Sequence, residues 1–407
     1  MKLVRDIELP ASKSESNRAL MIAAYGGFAP DFQNLSDAND TGILAEALRE
    51  IQLRQPVIDI ADCGTAARFL TTFLACHEGQ WLLTGTERMK QRPIKPLVDA
   101  LLGLEAEIQY VEKEGFLPLR IIGKPLQGGK VQIDASQSSQ FASSLLLAAP
   151  MFPQGLELEV LGDLNSLPYL DMTLSMMCHF SAQVERKGHR IVVLPKPYQP
   201  ARFMIAPDWS AASYWYEMAA LSEDCVIRLS GLRRAVLQGD AVIAEWMKAL
   251  GVSTFEEGDA LVLQKTAFER KPLSFDFSNT PDLFPTMAAT CAGLQLEAHF
   301  TGIANLHLKE SDRVEAMKME LAKMGMEMLY ISENELIMKP ISKIPHFEKS
   351  NPLSLEAHGD HRVVMALAPL ALQFGFVSFD NPEVVGKSYP GFWSDILFLP
   401  VSWPNLA

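Results

Sequence analysis

Cysteine is scarce in this chain of 407 residues. The five cysteines are scattered along the sequence, and no CxxC pair occurs. Small secreted domains that depend on disulfides carry many more cysteines for their length. The pattern therefore predicts buried, reduced thiols in a cytoplasmic protein. The cysteines are Cys63, Cys76, Cys178, Cys225 and Cys291.

Long apolar runs and an excess of positive charge are also missing. A membrane-spanning helix needs an apolar run of about 18 residues or more, and the sequence has no such run. The segment Met1–Pro10 is too short and too charged for a secretory signal. Lys and Arg total 36 against 49 for Asp and Glu, a net charge of −13. We therefore expect neither a nucleic-acid-binding protein nor a polybasic membrane protein. Any anionic ligand then needs a local basic pocket.

What is present is the composition of a globular protein, with 48% hydrophobic and 21% charged residues. At roughly 100–200 residues per domain, the length predicts two or three domains with sizeable cores.

Internal repetition is the most informative feature of the sequence. Four segments share one plan, which is an apolar strand, a glycine, a polar loop, a helix and a second strand. They are Leu82–Glu112, Leu158–Glu185, Ile227–Glu257 and His299–Ile331, with weaker copies at Asn34–Leu53 and Phe379–Leu397. The plan therefore predicts six units of alternating strand and helix.

A second series of motifs lies between these segments. Each motif opens with a short polar cluster and continues into an apolar helix, which is a helix-start signal. The motifs are ASKSESNRAL from Ala11, DCGTAARFL from Asp62, SSQFASSLLL from Ser138, PDWSAASYW from Pro207, TPDLFPTMAA from Thr280 and GDHRVVMAL from Gly359. Six units of about 70 residues predict either a solenoid or two halves of three units. Because the polar residues gather at helix N-termini, we favour two domains around a shared cleft, with a crossover near Pro207.

Many of these helix starts carry cations or hydroxyl groups. Helix N-termini attract anions because their free N–H groups and the helix dipole both face the ligand. Arginine and lysine converging from several segments would complete a phosphate or carboxylate site. The candidates are Lys13, Ser14, Arg18, Gly64, Thr65, Arg68, Arg92, Ser138, Ser139, Gln140, Ser166, Lys309, Arg313, His361, Arg362 and Lys387.

Two acidic residues stand out against this basic set. Asp282 lies in TPDLFPTMAA and Glu310 lies in LKESDR, between Lys309 and Arg313. Taken alone, Asp282 could be a helix cap and Glu310 part of a solvated salt-bridged face. Beside several cations, the two acids could instead divide the work of general base and general acid.

The motifs together resemble a known family. In order, the chain carries LPASKSESNRAL, DCGTAARFL, RMKQRPI, SSQFASSLL, NSLPYLDMT, NLHLKESDR, GDHRVVMA and GKSYPGF, from Leu9 to about Trp393. They are similar to the successive signatures of the 3-phosphoshikimate 1-carboxyvinyltransferases, or EPSP synthases.

The resemblance implies a reaction and a fold. The reaction is transfer of the enolpyruvyl group of phosphoenolpyruvate to the 5-hydroxyl of shikimate 3-phosphate, with release of phosphate. The fold is a two-domain inside-out α/β barrel in which each domain has three βαβαββ units. The resemblance places the shikimate 3-phosphate lobe at 10–206, and the phosphoenolpyruvate lobe at 207–407 with 1–9. We expect a cytoplasmic monomer. We also expect no metal or other cofactor, because phosphoenolpyruvate is already activated.

The resemblance also implies roles for individual residues. Asp282 matches the proton acceptor and Glu310 the proton donor, and Lys13 joins them in the catalytic set. The shikimate 3-phosphate contacts implied are Lys13, Ser14, Arg18, Ser138, Ser139, Gln140, Ser166, Tyr169, Asp282, Asn305 and Lys309. The phosphoenolpyruvate contacts implied are Lys13, Gly64, Arg68, Arg92, Gln140, Arg313, Arg362 and Lys387.

Some positions depart from the family pattern. Asp62 stands where Asn is common, Phe69 replaces a usual Pro after Arg68, and Gly359 and Ala11 replace a frequent Asn and Gly. We expect Phe69 to reshape the helix that begins at Gly64. Only nine residues precede Pro10, which predicts a shortened first strand.

Three other readings stay open at this point. A UDP-N-acetylglucosamine 1-carboxyvinyltransferase would share the fold, but the loop Gly85–Pro93 lacks the Cys typical of that family. A non-catalytic phosphate-ligand binder on the same scaffold would not need Asp282 and Glu310. A metalloprotein could use His358 and His361, although Arg362 beside them disfavours a cation.

Overall fold

The computed structural model describes residues 2–136, 138–162, 166–234, 237–341 and 346–403. The chain divides into two compact units. One unit is Ser12–Ile205, and the other combines Met1–Ala11 with Ala206–Ala407. We call them the middle unit and the terminal unit.

Strands and helices alternate along both units. The strands are β1 (Lys2–Glu8), β2 (Phe32–Gln33), β3 (Val57–Asp59), β4 (Gly79–Thr84), β5 (Glu107–Tyr110), β6 (Leu119–Gly123), β7 (Gly129–Asp134), β8 (Leu156–Leu161), β9 (Val184–Lys187), β10 (Arg190–Val193), β11 (Phe203–Met204), β12 (Asp224–Ser230), β13 (Val252–Glu257), β14 (Ala260–Lys265), β15 (Leu273–Asp276), β16 (Ala298–Thr301), β17 (Met326–Ser332), β18 (Glu335–Pro340), β19 (Leu353–Leu355), β20 (Val377–Phe379) and β21 (Val401–Ser402). The α-helices are α1 (Lys13–Gly26), α2 (Asn39–Gln52), α3 (Gly64–Cys76), α4 (Lys95–Gly103), α5 (Ser139–Ala148), α6 (Leu167–His179), α7 (Trp209–Leu221), α8 (Ile243–Trp246), α9 (Phe284–Gly293), α10 (Arg313–Ala322), α11 (His361–Leu367), α12 (Ala371–Phe374) and α13 (Phe392–Asp395).

The sheets of the two units repeat one topology. In the middle unit the four-stranded sheets have the orders β3-β4-β6-β5 and β7-β8-β10-β9, and β2 pairs with β11. In the terminal unit the orders are β1-β12-β14-β13, β15-β16-β18-β17 and β19-β20-β21. In each four-stranded sheet the first two strands are parallel and the rest antiparallel. This is the pattern of a βαβ crossover that continues into a helix and a hairpin, so the predicted βαβαββ plan is confirmed.

The helices form the inside of each unit and the sheets the outside. Every residue of α9 and α11 is buried, and so are twelve of the thirteen residues of α7. A helix that is apolar all round must be covered on all sides. Strands such as β6 and β12 instead alternate between buried and accessible residues, as a sheet with one face toward solvent does. The inside-out arrangement follows from these two patterns.

Two expectations are corrected here. The first strand is not shortened in its pairing, because β1 keeps seven consecutive partners along β12, from Lys2 to Glu8. None of the five cysteines forms a disulfide and three of them are buried, but Cys178 is exposed and Cys76 is only partly buried. Cys178 lies near the end of α6, on its accessible side.

Among the described residues, no helix is long and apolar enough to cross a membrane.

Candidate active site

The helix starts of the middle unit lie against one another. Lys13, the first residue of α1, forms an ion pair with Asp40 of α2, with 2.9 Å between Nζ and Oδ2. Cys63, which caps α3, lies with its Sγ 3.5 Å from the Asp40 carbonyl oxygen. Gln140 of α5 donates from Nε2 to the Thr65 hydroxyl of α3 at 3.2 Å. Four helix N-termini therefore meet in one region, as the polar motifs predicted.

Arg18 links α1 to α6 and is 3% exposed. Its Nε donates to the Thr173 hydroxyl at 2.7 Å, and its Nη atoms donate to the carbonyl oxygens of Ser14 and Tyr169 at 2.9 and 3.2 Å. These partners are all neutral, and burial lowers the pKa of the guanidinium to about 10. The group stays charged at neutral pH, and these three hydrogen bonds to neutral partners do not neutralise its charge.

Gly64 makes room for two guanidinium groups. A Cβ atom at Gly64 would lie 2.7 Å from Nη1 of Arg92 and 3.1 Å from Nη1 of Arg68. Arg68 is held by the carbonyl oxygens of Gly64 and Pro93, each at 3.1 Å. The absence of a side chain at Gly64 therefore brings Arg68 and Arg92 against the N-terminus of α3, where the helix dipole also favours an anion.

The predicted serines lie at two other helix starts. Ser138 caps α5 by accepting a hydrogen bond from the Gln140 N–H at 3.3 Å, and Ser139 is buried. Ser166 precedes α6 with a φ of 59°, a left-handed conformation that is uncommon for serine. Tyr169 lies in the first turn of α6, and its carbonyl oxygen accepts from Arg18.

Phe69 does not break α3. It is 1% exposed, and the Arg18 guanidinium carbon lies 5.7 Å from the centre of its ring. This distance is within the range of a cation–π contact. The helix runs unbroken from Gly64 to Cys76. The Phe69 ring is buried beside Arg18.

The terminal unit gathers four charged groups around Arg313. This guanidinium is 1% exposed and contacts Asp282 at 2.7 Å, Glu310 at 2.8 Å and Asp360 at 2.8 Å. Arg362 contacts the other oxygen of Asp282, also at 2.7 Å. Asp282 therefore bridges two arginines, and Glu310 shares one of them. The side chain of Glu310 is 14% exposed and pairs with the buried Arg313, so Glu310 is not part of a solvated salt-bridged face.

The arginines control the pKa of Asp282. Burial alone would raise the pKa of this carboxyl group, but Arg362, Arg313 and Lys309 outweigh burial and hold it below its usual value. The carboxylates act on Arg313 in return. Burial would lower its pKa, whereas Asp360, Glu310 and Asp282 raise it. Both groups are charged at neutral pH.

Asp360 is a site residue that the sequence analysis did not select. It is fully buried, accepts from the Arg362 N–H at 3.0 Å as the cap of α11, and holds Arg313 and the Ser311 hydroxyl with its other oxygen. Its position directly before His361 and Arg362 at a helix start was the available signal. A capping carboxylate that also pairs with a distant arginine cannot be recognised from local sequence.

The remaining predicted residues of the terminal unit lie in two short 3-10 segments and the loop after one of them. Asn305 is in Ala304–Leu308, Lys309 and Glu310 follow it, and all three are partly buried. Lys387 ends Pro382–Lys387 and is 6% exposed. A lysine so well buried is held there by tertiary structure and is not a solvated surface charge.

The two histidines of the HGDH motif do not form a metal site. His358 precedes α11 with a φ of 51°, and its Nε2 lies 3.0 Å from Oε1 of Glu320. His361 is 1% exposed in the first turn of the helix. Within the described ranges, no group of three or more His, Cys, Asp or Glu side chains is arranged to hold a metal ion.

A cavity of about 1220 Å³ lies elsewhere in the middle unit. Its walls include α4, β7 and residues of β8 and β10, among them Lys95, Ile133, Glu157 and Arg190. None of the predicted site residues lines it. The cavity is therefore separate from the helix starts and the Arg313 cluster.

Comparison with known proteins agrees with the fold and the motifs. A family model for EPSP synthase (3-phosphoshikimate 1-carboxyvinyltransferase) matches residues 51–396. The 3-phosphoshikimate 1-carboxyvinyltransferase of Bacteroides fragilis (strain YCH46) is 43% identical over 393 residues, which cover 96% of this chain and 94% of that protein. The enzyme of the same name from Histophilus somni (strain 2336) is 33% identical over 419 residues, covering 96% and 95%.

Two solved structures share the fold. An EPSP synthase from Acinetobacter baumannii aligns with a TM-score of 0.72 at 21% identity, covering 98% of this chain and 96% of that one. The enolpyruvyl transferase NikO from Streptomyces tendae aligns with a TM-score of 0.70 at 15% identity, covering 98% and 95%. These likenesses confirm the predicted enolpyruvyl transferase fold.

Proposed function

We propose that this chain, which belongs to the EPSP synthase family, uses the residues described above to transfer the enolpyruvyl group of phosphoenolpyruvate to shikimate 3-phosphate. The family and its named relatives are transferases of the shikimate route to aromatic amino acids. The observation that carries the residue assignment is the cluster in which Asp282 and Glu310 share Arg313. Two acids and two buried arginines are the groups that an acid–base reaction on an anionic substrate requires.

We assign shikimate 3-phosphate chiefly to the middle unit. Its phosphate needs cations and N–H donors whose charge is not already balanced, and Arg18 with its neutral partners offers this. The hydroxyls and N–H groups at the starts of α5 and α6 supply further donors. The residues assigned to this substrate are Lys13, Ser14, Arg18, Ser138, Ser139, Gln140, Ser166 and Tyr169, joined by Asp282, Asn305 and Lys309 at its ring hydroxyls.

We assign phosphoenolpyruvate to arginines and lysines from both units. This substrate brings a phosphate and a carboxylate, so several cations have to offset its charge. Planar guanidinium groups suit both anions because one guanidinium can donate two parallel hydrogen bonds to a phosphate or to a carboxylate. The assigned residues are Lys13, Gly64, Arg68, Arg92, Gln140, Arg313, Arg362 and Lys387.

The proposed reaction is an addition followed by an elimination. Glu310 gives a proton to the methylene carbon of phosphoenolpyruvate, the 5-hydroxyl oxygen bonds to the adjacent carbon, and Asp282 accepts the hydroxyl proton. The methyl group of the tetrahedral intermediate then returns a proton to the Glu310 carboxylate, the C–H electron pair forms the new C=C bond, and the bond from carbon to the phosphate oxygen breaks. Lys13 and the arginines stabilise the charge of the departing phosphate. Atoms and electrons balance without an oxidant or a reductant.

The charge pattern explains how Asp282 becomes a base. In the unliganded unit its pKa is held low by Arg362, Arg313 and Lys309, so it binds protons weakly. Anionic groups of phosphoenolpyruvate on these arginines would offset their charge. The basicity of Asp282 then rises when substrate is present, which couples proton transfer to binding.

The competing readings are disfavoured by separate observations. The relatives bear the shikimate enzyme's name, so the UDP-N-acetylglucosamine transferase is not favoured. A silent phosphate binder would gain nothing from burying Asp282 and Glu310 beside Arg313. We further propose a cytoplasmic monomer that binds neither nucleic acid nor membranes, in keeping with its net charge of −13.

The test is an assay of phosphate release from phosphoenolpyruvate. We expect release that depends on shikimate 3-phosphate and is lost in Asp282→Asn. An exposed carboxylate of the same unit provides the matched control Asp259→Asn, which should keep full activity. Release that is independent of shikimate 3-phosphate, or unchanged in Asp282→Asn, would contradict the assignment.

A further inference from the structure

A tight turn, Ala357–Asp360, leads directly into α11. The Asp360 N–H donates to the Ala357 carbonyl oxygen at 2.9 Å, and the two middle residues, His358 and Gly359, have φ values of 51° and 65°. Glycine adopts such angles readily, whereas for histidine they are uncommon. A residue other than glycine stays in this conformation where surrounding contacts hold it there.

Glu320, in the last turn of α10, supplies contacts of this kind. Its side chain is fully buried. Oε1 lies 3.0 Å from Nε2 of His358, and Oε2 accepts from the Glu356 N–H at 3.0 Å and from Nζ of Lys323 at 2.7 Å. Because a carboxylate oxygen can only accept, His358 carries a proton on Nε2. Both oxygens of Glu320 are therefore satisfied, and Lys323 offsets the buried negative charge.

The same helix contacts the other end of this turn. Arg313 is the first residue of α10 and precedes Glu320 by seven residues, or about two helical turns, so the two side chains lie on one face. The Arg313 guanidinium contacts Asp360 at 2.8 Å, and Asp360 accepts from the Arg362 N–H at 3.0 Å. Residues 356–360 are thus joined to α10 at both ends.

We propose that Glu320 is a positioning residue for phosphoenolpyruvate. By holding the turn before α11 through Glu356 and His358, it sets where Asp360 and Arg362 stand relative to Arg313. The inference rests on the proposed assignment of Arg313 and Arg362 to this substrate. Glu320 itself acts from the far end of α10, through its contacts with the turn.

A second anchor limits the size of the effect. The Ala357 N–H donates to Oδ1 of Asp380, an exposed residue that directly follows β20, at 2.7 Å. Loss of the Glu320 contacts should therefore loosen the turn without releasing it. We expect a change in substrate affinity in a protein that still folds.

The first experiment measures KM for phosphoenolpyruvate in Glu320→Gln by steady-state phosphate release. Glutamine keeps the size of the side chain but offers one acceptor oxygen to three donors and removes the charge that Lys323 balances. We expect KM to rise about tenfold, because small displacements of binding groups are costly. The matched control is Glu333→Gln, an exposed residue between β17 and β18, which should leave KM unchanged.

KM separates positioning from a loss of stability. Partial unfolding lowers the concentration of active enzyme and hence the apparent kcat, but the folded molecules keep their KM. An unchanged KM in a folded Glu320→Gln, checked by circular dichroism, would overturn the inference.

Two substitutions of His358 test the same contact from the other side. Asparagine tolerates a positive φ better than glutamine does, but its side chain is too short to replace Nε2. The amide nitrogen of glutamine can take the place of Nε2 and donate to Glu320. We expect His358→Asn to raise KM for phosphoenolpyruvate about fivefold and His358→Gln to stay within about twofold of the wild type. Equal KM values in the two variants, or the reverse order, would overturn the inference even if Glu320→Gln fails to fold.

Arg362→Ala distinguishes this inference from the assignment beneath it. An unchanged KM for phosphoenolpyruvate in Arg362→Ala would defeat the substrate assignment. A KM that rises in Arg362→Ala but stays at the wild-type value in Glu320→Gln and His358→Asn would defeat only the positioning role of Glu320.

Discussion

Arg18 and Arg68, two buried arginines of the middle unit, donate to a different kind of partner from Arg313 and Arg362 of the terminal unit. In the middle unit, Arg18 and Arg68 donate to hydroxyl and carbonyl oxygens. In the terminal unit, Arg313 donates to three carboxylates and Arg362 to one. The consequence appears in the pKa, which is lowered to about 10 for Arg18 and raised for Arg313.

The function of a buried cation therefore depends on whether its partners are neutral groups or carboxylates. Neutral partners orient the Arg18 guanidinium without cancelling its charge, so its field stays available to a ligand anion. Carboxylate partners cancel the charge of Arg313 and are themselves groups that can exchange protons. We expect the first arrangement to favour anion binding and the second to favour proton transfer. Lys13 in the middle unit differs from Arg18 because it is paired with the carboxylate of Asp40.

The largest effect should come from removing the proton-transfer groups of the terminal unit. We expect Asp282→Asn to lower kcat by about 10³-fold and Glu310→Gln by about 10²-fold, within the range for general acid–base groups. Steady-state phosphate release measures both. Circular dichroism should show that the variants stay folded. Turnover near the wild-type rate in both would remove the distinction between the two units.

Breaking the carboxylate cluster at Asp360 should cost stability. In Asp360→Asn the fully buried Arg313 loses one of its three anionic partners, and we expect the free energy of unfolding to fall by about 3 kcal/mol. Urea unfolding measures it. The matched control is Asp6→Asn, which disrupts an exposed pair with Arg228 and should change stability by less than about 1 kcal/mol. Equal losses of unfolding free energy in Asp360→Asn and Asp6→Asn would mean that burial of an ion pair does not change its contribution to stability.

A second buried acid of the terminal unit has its pKa set by burial and not by arginines. Glu217 of α7 is fully buried, and neither of its carboxyl oxygens has a hydrogen-bond partner among the described residues. Burial raises its pKa well above the usual value, in contrast to Asp282. The folded protein keeps the proton while the unfolded chain releases it above about pH 4.5. Stability is therefore lost as pH rises, by up to about 1.4 kcal/mol per pH unit.

Glu217→Gln removes this dependence. We expect the variant to gain about 2 kcal/mol over the wild type between pH 5 and pH 7, measured by urea unfolding at both pH values. The exposed Glu256→Gln is the control and should give no pH-dependent gain. A gain that does not grow with pH would show that Glu217 is paired or already ionised in the folded protein.

The neutral partners of Arg18 predict a loss of affinity and not of turnover. Lysine keeps the charge but cannot make the three hydrogen bonds that orient the guanidinium. We expect Arg18→Lys to raise KM for shikimate 3-phosphate by about 20-fold with a smaller change in kcat. Arg120→Lys, on an exposed strand residue of the same unit, is the control. An unchanged KM would show that an uncompensated guanidinium is not what holds this substrate.

The sequence predicted local features well and distant pairings poorly. The six polar motifs were recognised because a capping residue and an apolar run lie within one helical turn, and each of them begins or adjoins one of the helices α1, α3, α5, α7, α9 and α11. Asp282 and Arg313 are 31 residues apart, and Arg313 and Asp360 are 47 apart. No periodicity encodes such contacts, so Asp360 was missed although it lies beside recognised residues.

The smallest effect concerns the close approach of charge in the middle unit. A methyl group at Gly64 would lie 2.7 Å from Nη1 of Arg92, so this flexible guanidinium has to move away from the start of α3. We expect Gly64→Ala to raise KM for phosphoenolpyruvate by about tenfold, which corresponds to about 1.4 kcal/mol. Gly103→Ala is the matched control, since a Cβ atom there meets only Val131 at 4.0 Å. The terminal unit keeps its acids in Gly64→Ala, so kcat at saturating substrate should change much less than KM. A fall in kcat with KM unchanged would mean that the arginines beside Gly64 act on the chemical step, and the division of work between the two units would then be wrong.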